Sequence, residues 1–206
     1  DVISKNPVAR VRLLPISNNA ERYMTEEQLG KLLEVLATYP ARNVCNVALF
    51  LLSTGARLNE ALSAKWENID REHRVWRVPA ADSKSKKVRA VPLGDIALEV
   101  LDQIGSEEKQ GFVFVKKNGE PLRHLHQVWS RIRKRAGMPW LRVHDLRHAA
   151  AQLMINAGRS LYEVQAVLGH ASPQMTTRYA TLSTRTLQYA VGQVSKAISE
   201  ARERAG

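Results

Sequence analysis

Apolar residues recur at helical spacing along most of the chain, with short polar breaks between the periodic segments. Thr25 and Gln28 form a capping-box pattern, and the leucines that follow, from Leu29 to Leu36, lie on one side of a helix. The same periodicity predicts further helices near 41–53, 57–66, 94–104, 123–136, 145–157, 160–168, 173–181 and 184–203. Three glycines stand where such helices should end: Gly55, Gly158 and Gly169.

The middle of the chain has a strand-like pattern instead of a helical one. Residues 74–78 and 88–91 alternate between apolar and polar positions in the manner of strands, and a polar, lysine-rich stretch joins them. This predicts a hairpin with a long basic loop, and the apolar segment 112–115 predicts a third strand. The pattern as a whole predicts a mostly α domain with one small antiparallel β-sheet, an α+β fold.

The two ends of the chain differ from its centre. Residues 1–20 contain two prolines and several Asn and Ser residues without a clear period, so we interpret them as a linker from a preceding domain. Residues 21–182 are predicted to form one domain. Residues 183–206 are predicted to form a helical tail, with apolar positions such as Leu187 and Val194 at helical spacing.

The charge of the chain points to a polyanionic partner. The sequence has 31 Lys and Arg residues against 20 Asp and Glu residues, a net charge of +11, which favours contacts to phosphates. Because the basic residues are spread over several elements, a membrane-surface helix is disfavoured. No apolar run is long enough to span a membrane, and no secretory signal begins the chain. The single cysteine, Cys45, lies in an apolar helical stretch and is expected to be a buried, unreactive thiol in a reducing cytoplasm.

Several common chemistries have no matching motif in the sequence. The phosphate-binding loop of nucleotide hydrolases, the dinucleotide-binding glycine pattern, the zinc-protease motif and the nucleophile elbow of hydrolases do not occur. The histidines and the one cysteine have no structural zinc spacing. The sequence therefore predicts neither a metal nor a cofactor, and leaves basic residues and a tyrosine as the candidate chemistry.

Two segments near the C-terminus combine these residue types. His144 and Arg147 are three residues apart and so share one face of a helix, where a guanidinium fork and an imidazole can meet a phosphate. The alternative is a helix-start pair bonded to carboxylates such as Asp145. After a gap of 22 residues come His170 and, nine residues later, Tyr179. Each of these segments is common by itself, but their occurrence together in this order is improbable by chance.

Upstream lie two more basic candidates. Arg57 follows the glycine-ended helix, three residues before Glu60, and the alternative interpretation is an ion pair on a helix surface. The hairpin loop holds Lys84, Lys86 and Lys87, with Arg89 close by, and the alternative there is a solvated basic loop.

Taken together, these segments resemble the tyrosine recombinase (phage integrase) family. The resemblance rests on four boxes in order, which are TGARLNEAL, SKSKKVRAVPL, HDLRHAAAQLMINAG and LGHASPQMTTRYATL, within about residues 21–182. Ala56 stands where the family often has a bulkier residue, and Thr181 where a histidine is frequent. The resemblance implies a catalytic set of six residues: Arg57, Lys84, His144, Arg147, His170 and the nucleophile Tyr179.

The resemblance also implies a reaction and partners. It implies the fold of DNA breaking-rejoining enzymes and metal-independent strand exchange at a DNA site through a 3′-phosphotyrosyl link. Lys84 is selected as general acid only by its distance of eight residues from Pro92, and Lys86, Lys87 and Arg89 are expected to contact DNA. The implied partners are double-stranded DNA, further protomers in a tetramer on two sites and accessory DNA-bending proteins. The resemblance further implies a prokaryotic or phage-derived protein that associates with the nucleoid in the cytoplasm.

Two alternatives of other classes stay open at this point. One is a type IB topoisomerase, which uses the same chemistry without partner strands, although the nine-residue gap and the TGxR box are more typical of the recombinases. The other is a DNA-binding module without catalysis. The resemblance to the recombinases further implies that residues 1–20 are the linker from an N-terminal DNA-binding domain, and that residues 183–206 are a tail exchanged between protomers.

Overall fold

The computed structural model describes residues 23–83, 86–105 and 110–169, together with Gly192 and Val194. In that part the chain forms seven α-helices and a three-stranded antiparallel sheet. Their order is α1 Glu26–Thr38, α2 Arg42–Thr54, α3 Leu58–Leu62, β1 Ile69–Asp70, β2 Val75–Val78, β3 Arg89–Pro92, α4 Asp95–Ile104, α5 His126–Arg135, α6 Asp145–Asn156 and α7 Leu161–Leu168.

Helix α2 is the centre of the core. It packs against α1, α4 and α6, and for that reason it is buried nearly all round. Phe50 of α2 contacts Trp76 of β2 and Phe114, with ring centroids 5.4 and 5.3 Å apart, and so joins the helical layer to the sheet. Cys45 is fully buried, as predicted, and burial raises the pKa of its thiol.

The predicted helix ends are confirmed where local signals mark them. The capping box of α1 forms as expected, with the Gln28 backbone N–H donating to Thr25 Oγ1 at 3.2 Å. The helices predicted near 41–53, 94–104, 145–157 and 160–168 appear with each end within one residue of the prediction. The helix predicted at 123–136 is shorter at its start and begins at His126.

The helix predicted over 57–66 is wrong in its second half. Helix α3 ends at Leu62, and a single 3₁₀ turn follows at Trp66–Asn68. The backbone between them bonds elsewhere: Val113 N–H donates to the Ala64 carbonyl at 2.8 Å, and Trp66 N–H donates to the Gly111 carbonyl at 2.9 Å. These long-range bonds replace the bonds along the chain that a continuous helix would need.

The hairpin is confirmed, but the predicted third strand is wrong. Strand β2 lies between β1 and β3, and Trp76 pairs with Ile69 on one side and Val91 on the other. Residues 112–115, the predicted third strand, form only isolated bridges to two different neighbours, Lys65 and Pro121. A segment whose ends pair with different partners cannot build a ladder, so the two-residue β1 completes the sheet instead.

Helices α6 and α7 form a smaller apolar cluster that positions the site. Its buried members are Ala151, Ile155, Val164 and Leu168. Ser160 and Glu163 form the predicted capping box of α7. The predicted helices 173–181 and 184–203 lie outside the described residues, apart from Gly192 and Val194, which are helical. Among the helices described, none combines the length and apolar character needed to cross a membrane.

Candidate active site

Three guanidinium groups meet at the C-terminal end of α7. Arg89 donates to the carbonyl of Val167 at 2.7 Å, Arg147 to that of Leu168 at 2.8 Å, and Arg57 to that of Gly169 at 3.3 Å. The last carbonyls of a helix have no partner within it and carry partial negative charge, so they attract cations. Arginines that are distant in sequence, from the residue that precedes α3, from β3 and from α6, thus converge on three consecutive residues.

Gly55 allows α2 and α7 to approach closely enough for this convergence. It ends α2 in the left-handed conformation, at φ +64°, and its carbonyl accepts a hydrogen bond from Arg147 Nη1 at 2.6 Å. A Cβ atom at this position would lie 2.5 Å from Leu168 Cδ2. The glycine of the TGARLNEAL box therefore serves both the helix end and the close packing against α7.

Glu60 joins two of the arginines. Its Oε1 accepts from Arg57 Nη1 at 2.8 Å, and its Oε2 accepts from Arg89 Nη2 at 2.6 Å and from the backbone N–H of Arg57 at 2.9 Å. The carboxylate is 1% exposed. Burial alone would raise the pKa of Glu60, but these donors and charges outweigh burial and hold the pKa below its ordinary value. The Arg57–Glu60 pair is therefore part of a buried network rather than a surface ion pair.

His144 lies at the start of α6, in the same turn as Arg147. Partial desolvation by the surrounding protein and then the charge of Arg147 lower the pKa of His144, and Asp145 only partly opposes them. Asp145 is itself paired with Arg142, with Nη2 and Oδ1 2.7 Å apart. The imidazole is therefore neutral at pH 7 and can accept a proton. The ring of His148 packs edge-on against that of His144, with centroids 4.9 Å apart.

The hairpin of β2 and β3 contacts the site through its second strand, β3. Strand β3 contacts α7, and its first residue, Arg89, belongs to the arginine cluster. Lys86 and Lys87 are exposed, so their charges are accessible from solvent. Arg89 is placed differently from the expectation: its side chain is 9% exposed and its guanidinium is paired with the buried Glu60 carboxylate, so its charge is matched within the protein.

Three predicted residues, Lys84, His170 and Tyr179, lie outside the described residues. The structure thus brings together Arg57, His144 and Arg147 of the predicted set. The peptide bond leading to His170 begins at the Gly169 carbonyl, which accepts from Arg57. The described residues contain no group of three or more His, Cys, Asp or Glu side chains arranged to hold a metal ion.

The sequence named Glu60 and Arg89 but did not predict that they form one buried network. For Glu60 a local signal existed, because its spacing from Arg57 predicts an ion pair, but burial could not be inferred. For Arg89 there was none: its partners Glu60 and Val167 lie 29 and 78 residues away, and neither spacing corresponds to a local pattern.

Known sequences that resemble this chain come from one family. The Phage integrase family matches residues 22–186. The chain is 33% identical to an integrase of Salmonella phage P22 over 150 residues, which are 67% of this chain and 39% of that protein. It is 29% identical to tyrosine recombinase XerC of Corynebacterium efficiens over 202 residues, which are 93% of this chain and 64% of that protein. The chain thus spans less than two thirds of these relatives.

Comparison with solved structures confirms the predicted fold class. A structure of the Tn1549 transposon integrase in complex with a circular intermediate DNA superposes with a TM-score of 0.72 at 18% identity, covering 87% of this chain and 68% of that one. The XerH site-specific recombinase bound to its difH substrate superposes with a TM-score of 0.64 at 26% identity, covering 82% of this chain and 53% of that one. The mostly helical fold with a small sheet is the fold of these proteins.

Proposed function

We propose that this chain, which belongs to the phage integrase family, is the catalytic part of a site-specific DNA recombinase that breaks and rejoins strands through a covalent 3′-phosphotyrosyl intermediate. The observation that carries the proposal is the convergence of Arg57 and Arg147 on neighbouring carbonyls at the end of α7, where the chain continues to His170 and Tyr179. Guanidinium groups match the oxygens of a phosphodiester in charge and in geometry.

The reaction is a transesterification. The Tyr179 oxygen attacks phosphorus and forms a bond to the 3′-phosphate, while the bond to the 5′-oxygen breaks and that oxygen takes up a proton. The 5′-hydroxyl of another strand then attacks the phosphotyrosine and releases the tyrosine. One phosphoester bond replaces another in each step, so no ATP is needed.

The arginines stabilise the transition state. Negative charge builds on the non-bridging oxygens, and Arg57 and Arg147 are fixed cations for it, in the place that Mg²⁺ fills in many phosphoryl-transfer enzymes. His170 adds a hydrogen bond to the phosphate. Removal of one such group is expected to slow cleavage by about 10²–10⁴-fold.

His144 and Lys84 transfer the protons. A tyrosine hydroxyl with an ordinary pKa near 10 is rarely ionised at pH 7, and the lowered pKa of His144 leaves its imidazole neutral and able to take that proton. Lys84 protonates the leaving 5′-oxygen. The exposed Lys86 and Lys87 contact DNA phosphates instead, so Lys86→Ala and Lys87→Ala should weaken cleavage modestly whatever the leaving group.

Duplex DNA is the proposed partner, in keeping with the net charge of +11. Four protomers act together on two DNA sites, accessory proteins bend the DNA, and residues 183–206 pass between protomers. Residues 1–20 link the catalytic part to an N-terminal DNA-binding domain. The reaction takes place on nucleoid DNA in the cytoplasm of a prokaryotic cell.

Covalent trapping tests the proposal. DNA that the chain captures covalently is sequenced to obtain its site, and a nicked duplex carrying that site is then incubated with the protein and run on a denaturing gel. Tyr179→Phe should bind the duplex but form no adduct, because only the hydroxyl is removed. The control Tyr162→Phe, at a residue of α7 that is 84% exposed, should form it normally.

An adduct from the Tyr179→Phe protein would contradict the assignment of the nucleophile. Absence of an adduct from the unaltered protein, with binding intact, would leave a DNA-binding module. Strand exchange between two sites, measured on paired substrates, separates a recombinase from a topoisomerase, which only relaxes a supercoiled circle.

A further inference from the structure

Arg89 occupies an unexpected position for a residue of a basic loop. It begins β3, five residues after Lys84 in the chain. Its guanidinium turns inward and bridges Glu60 Oε2, at 2.6 Å, and the Val167 carbonyl, at 2.7 Å. A single side chain thus connects the hairpin, α3 and the end of α7.

We propose that Arg89 is a positioning residue that balances the charge of Glu60, so that Arg57 keeps its positive charge available for the phosphate. The inference rests on the proposed function and adds to it a residue that makes no contact with DNA.

The charge count at the cluster supports this role. Glu60 is shared by two guanidinium groups, so the trio carries a net charge of +1. Without Arg89, the buried carboxylate has Arg57 as its remaining cation among the described residues, and the pair is neutral. A neutral pair stabilises a developing phosphate charge less than a cation does, and Arg57 is also held more firmly toward Glu60.

The packing around Arg89 is tight enough to make this arrangement specific. A Cβ atom at Gly169 would lie 2.3 Å from Arg89 Cδ and 2.9 Å from its Nε. Gly169 has φ +64°, and it is the residue immediately before His170. The side chain of Arg89 therefore packs directly against the backbone of Gly169, and this contact holds β3 against the end of α7.

The first experiment compares three variants in single-turnover cleavage of the nicked substrate. Arg89→Met keeps the length of the side chain but removes its charge, and should slow cleavage by about 10- to 100-fold while duplex affinity changes by less than about twofold. Arg89→Lys restores the charge and should recover part of the rate. The matched control Arg77→Met, on β2 of the same sheet and 59% exposed, should cleave normally.

A second variant distinguishes charge balance from simple bracing. Adding Glu60→Gln to Arg89→Met removes the carboxylate that neutralises Arg57 in the single variant and returns the net charge to +1, so cleavage should rise above that of Arg89→Met alone. If Arg89 acted only as a mechanical support, the further loss of contacts at Glu60 would not restore cleavage. The double variant also contains no buried carboxylate that depends on Arg57 alone, so it should fold even where Arg89→Met is unstable.

The outcomes separate the two proposals. Normal cleavage by Arg89→Met, or a double variant no faster than Arg89→Met, would overturn the role of Arg89 while the adduct of the unaltered protein still stood. If the unaltered protein formed no adduct, the proposed function would fail, and the inference with it.

Discussion

Replacing Gly55 by alanine tests how closely α2 and α7 must approach each other. The backbone there is left-handed, at φ +64°, and the new Cβ would lie 2.5 Å from Leu168 Cδ2 and 3.6 Å from Ala150 Cβ. Leu168 is fully buried, so it cannot move aside into solvent. The substitution therefore combines backbone strain with overpacking.

The two contributions can be estimated separately. A non-glycine residue in the left-handed region costs about 1–2 kcal/mol, and overpacking of a filled core costs about 1–3 kcal/mol. Gly55→Ala should thus lower the free energy of unfolding by about 2–5 kcal/mol. Gly158 follows α6 at φ +80°, and no atom lies within 4 Å of the point that a Cβ atom would occupy, so Gly158→Ala should cost only the backbone share, about 1–2 kcal/mol.

Urea denaturation measures both free energies by linear extrapolation. In a Leu168→Ala background the clash is gone, so Gly55→Ala should there cost no more than Gly158→Ala does. The resulting coupling between positions 55 and 168 is expected to be about 1–3 kcal/mol. Because the Gly55 carbonyl accepts from Arg147, Gly55→Ala should also slow DNA cleavage more than Gly158→Ala. Equal costs for the two glycine variants, or no coupling to Leu168, would refute the reasoning.

Four other experiments probe the individual groups of the site. Cleavage should survive EDTA because Arg57 and Arg147 supply the positive charge, and loss of activity that Mg²⁺ restores would contradict this. The acidic limb of kcat/KM against pH should lie below the ordinary histidine value of 6.5, since protonation of His144 removes the base as pH falls, and His144→Gln should abolish the limb. On a substrate with a 5′-bridging sulfur, which leaves without a proton, Lys84→Ala should recover cleavage and Arg57→Ala should not; rescue of neither would place the acid elsewhere. Deleting residues 184–206 should spare folding and nicking but weaken assembly in gel-shift experiments, and unfolding seen by circular dichroism would contradict that role.

Much of the fold follows from short-range signals in the sequence. The capping boxes at Thr25 and Ser160 form as predicted, and Gly55 and Gly169 end their helices in the left-handed conformation. Such signals work because a helix end depends on hydrogen bonds between residues three or four apart. The order of the motifs was equally informative, since it identified the family and with it the candidate residues.

Segments whose hydrogen bonds run to distant residues were predicted less well. Residues 112–115 have the apolar character of a strand but bond to two different segments, while the true third strand, Ile69–Asp70, is too short to show an alternating pattern. The third helix stops early for the same reason, because the Ala64 carbonyl accepts from Val113. Local periodicity contains no information about such partners.

The candidate site divides in the same way. The sequence by itself determined that Arg57, His144 and Arg147 were the residues to examine, through their spacing and motif order. Only the tertiary structure decided that Arg89 turns inward to Glu60 and Val167 instead of outward to DNA. The physical reason is that a basic side chain takes whichever anion or carbonyl the fold brings within reach, and for Arg89 those groups come from α3 and α7, far along the chain.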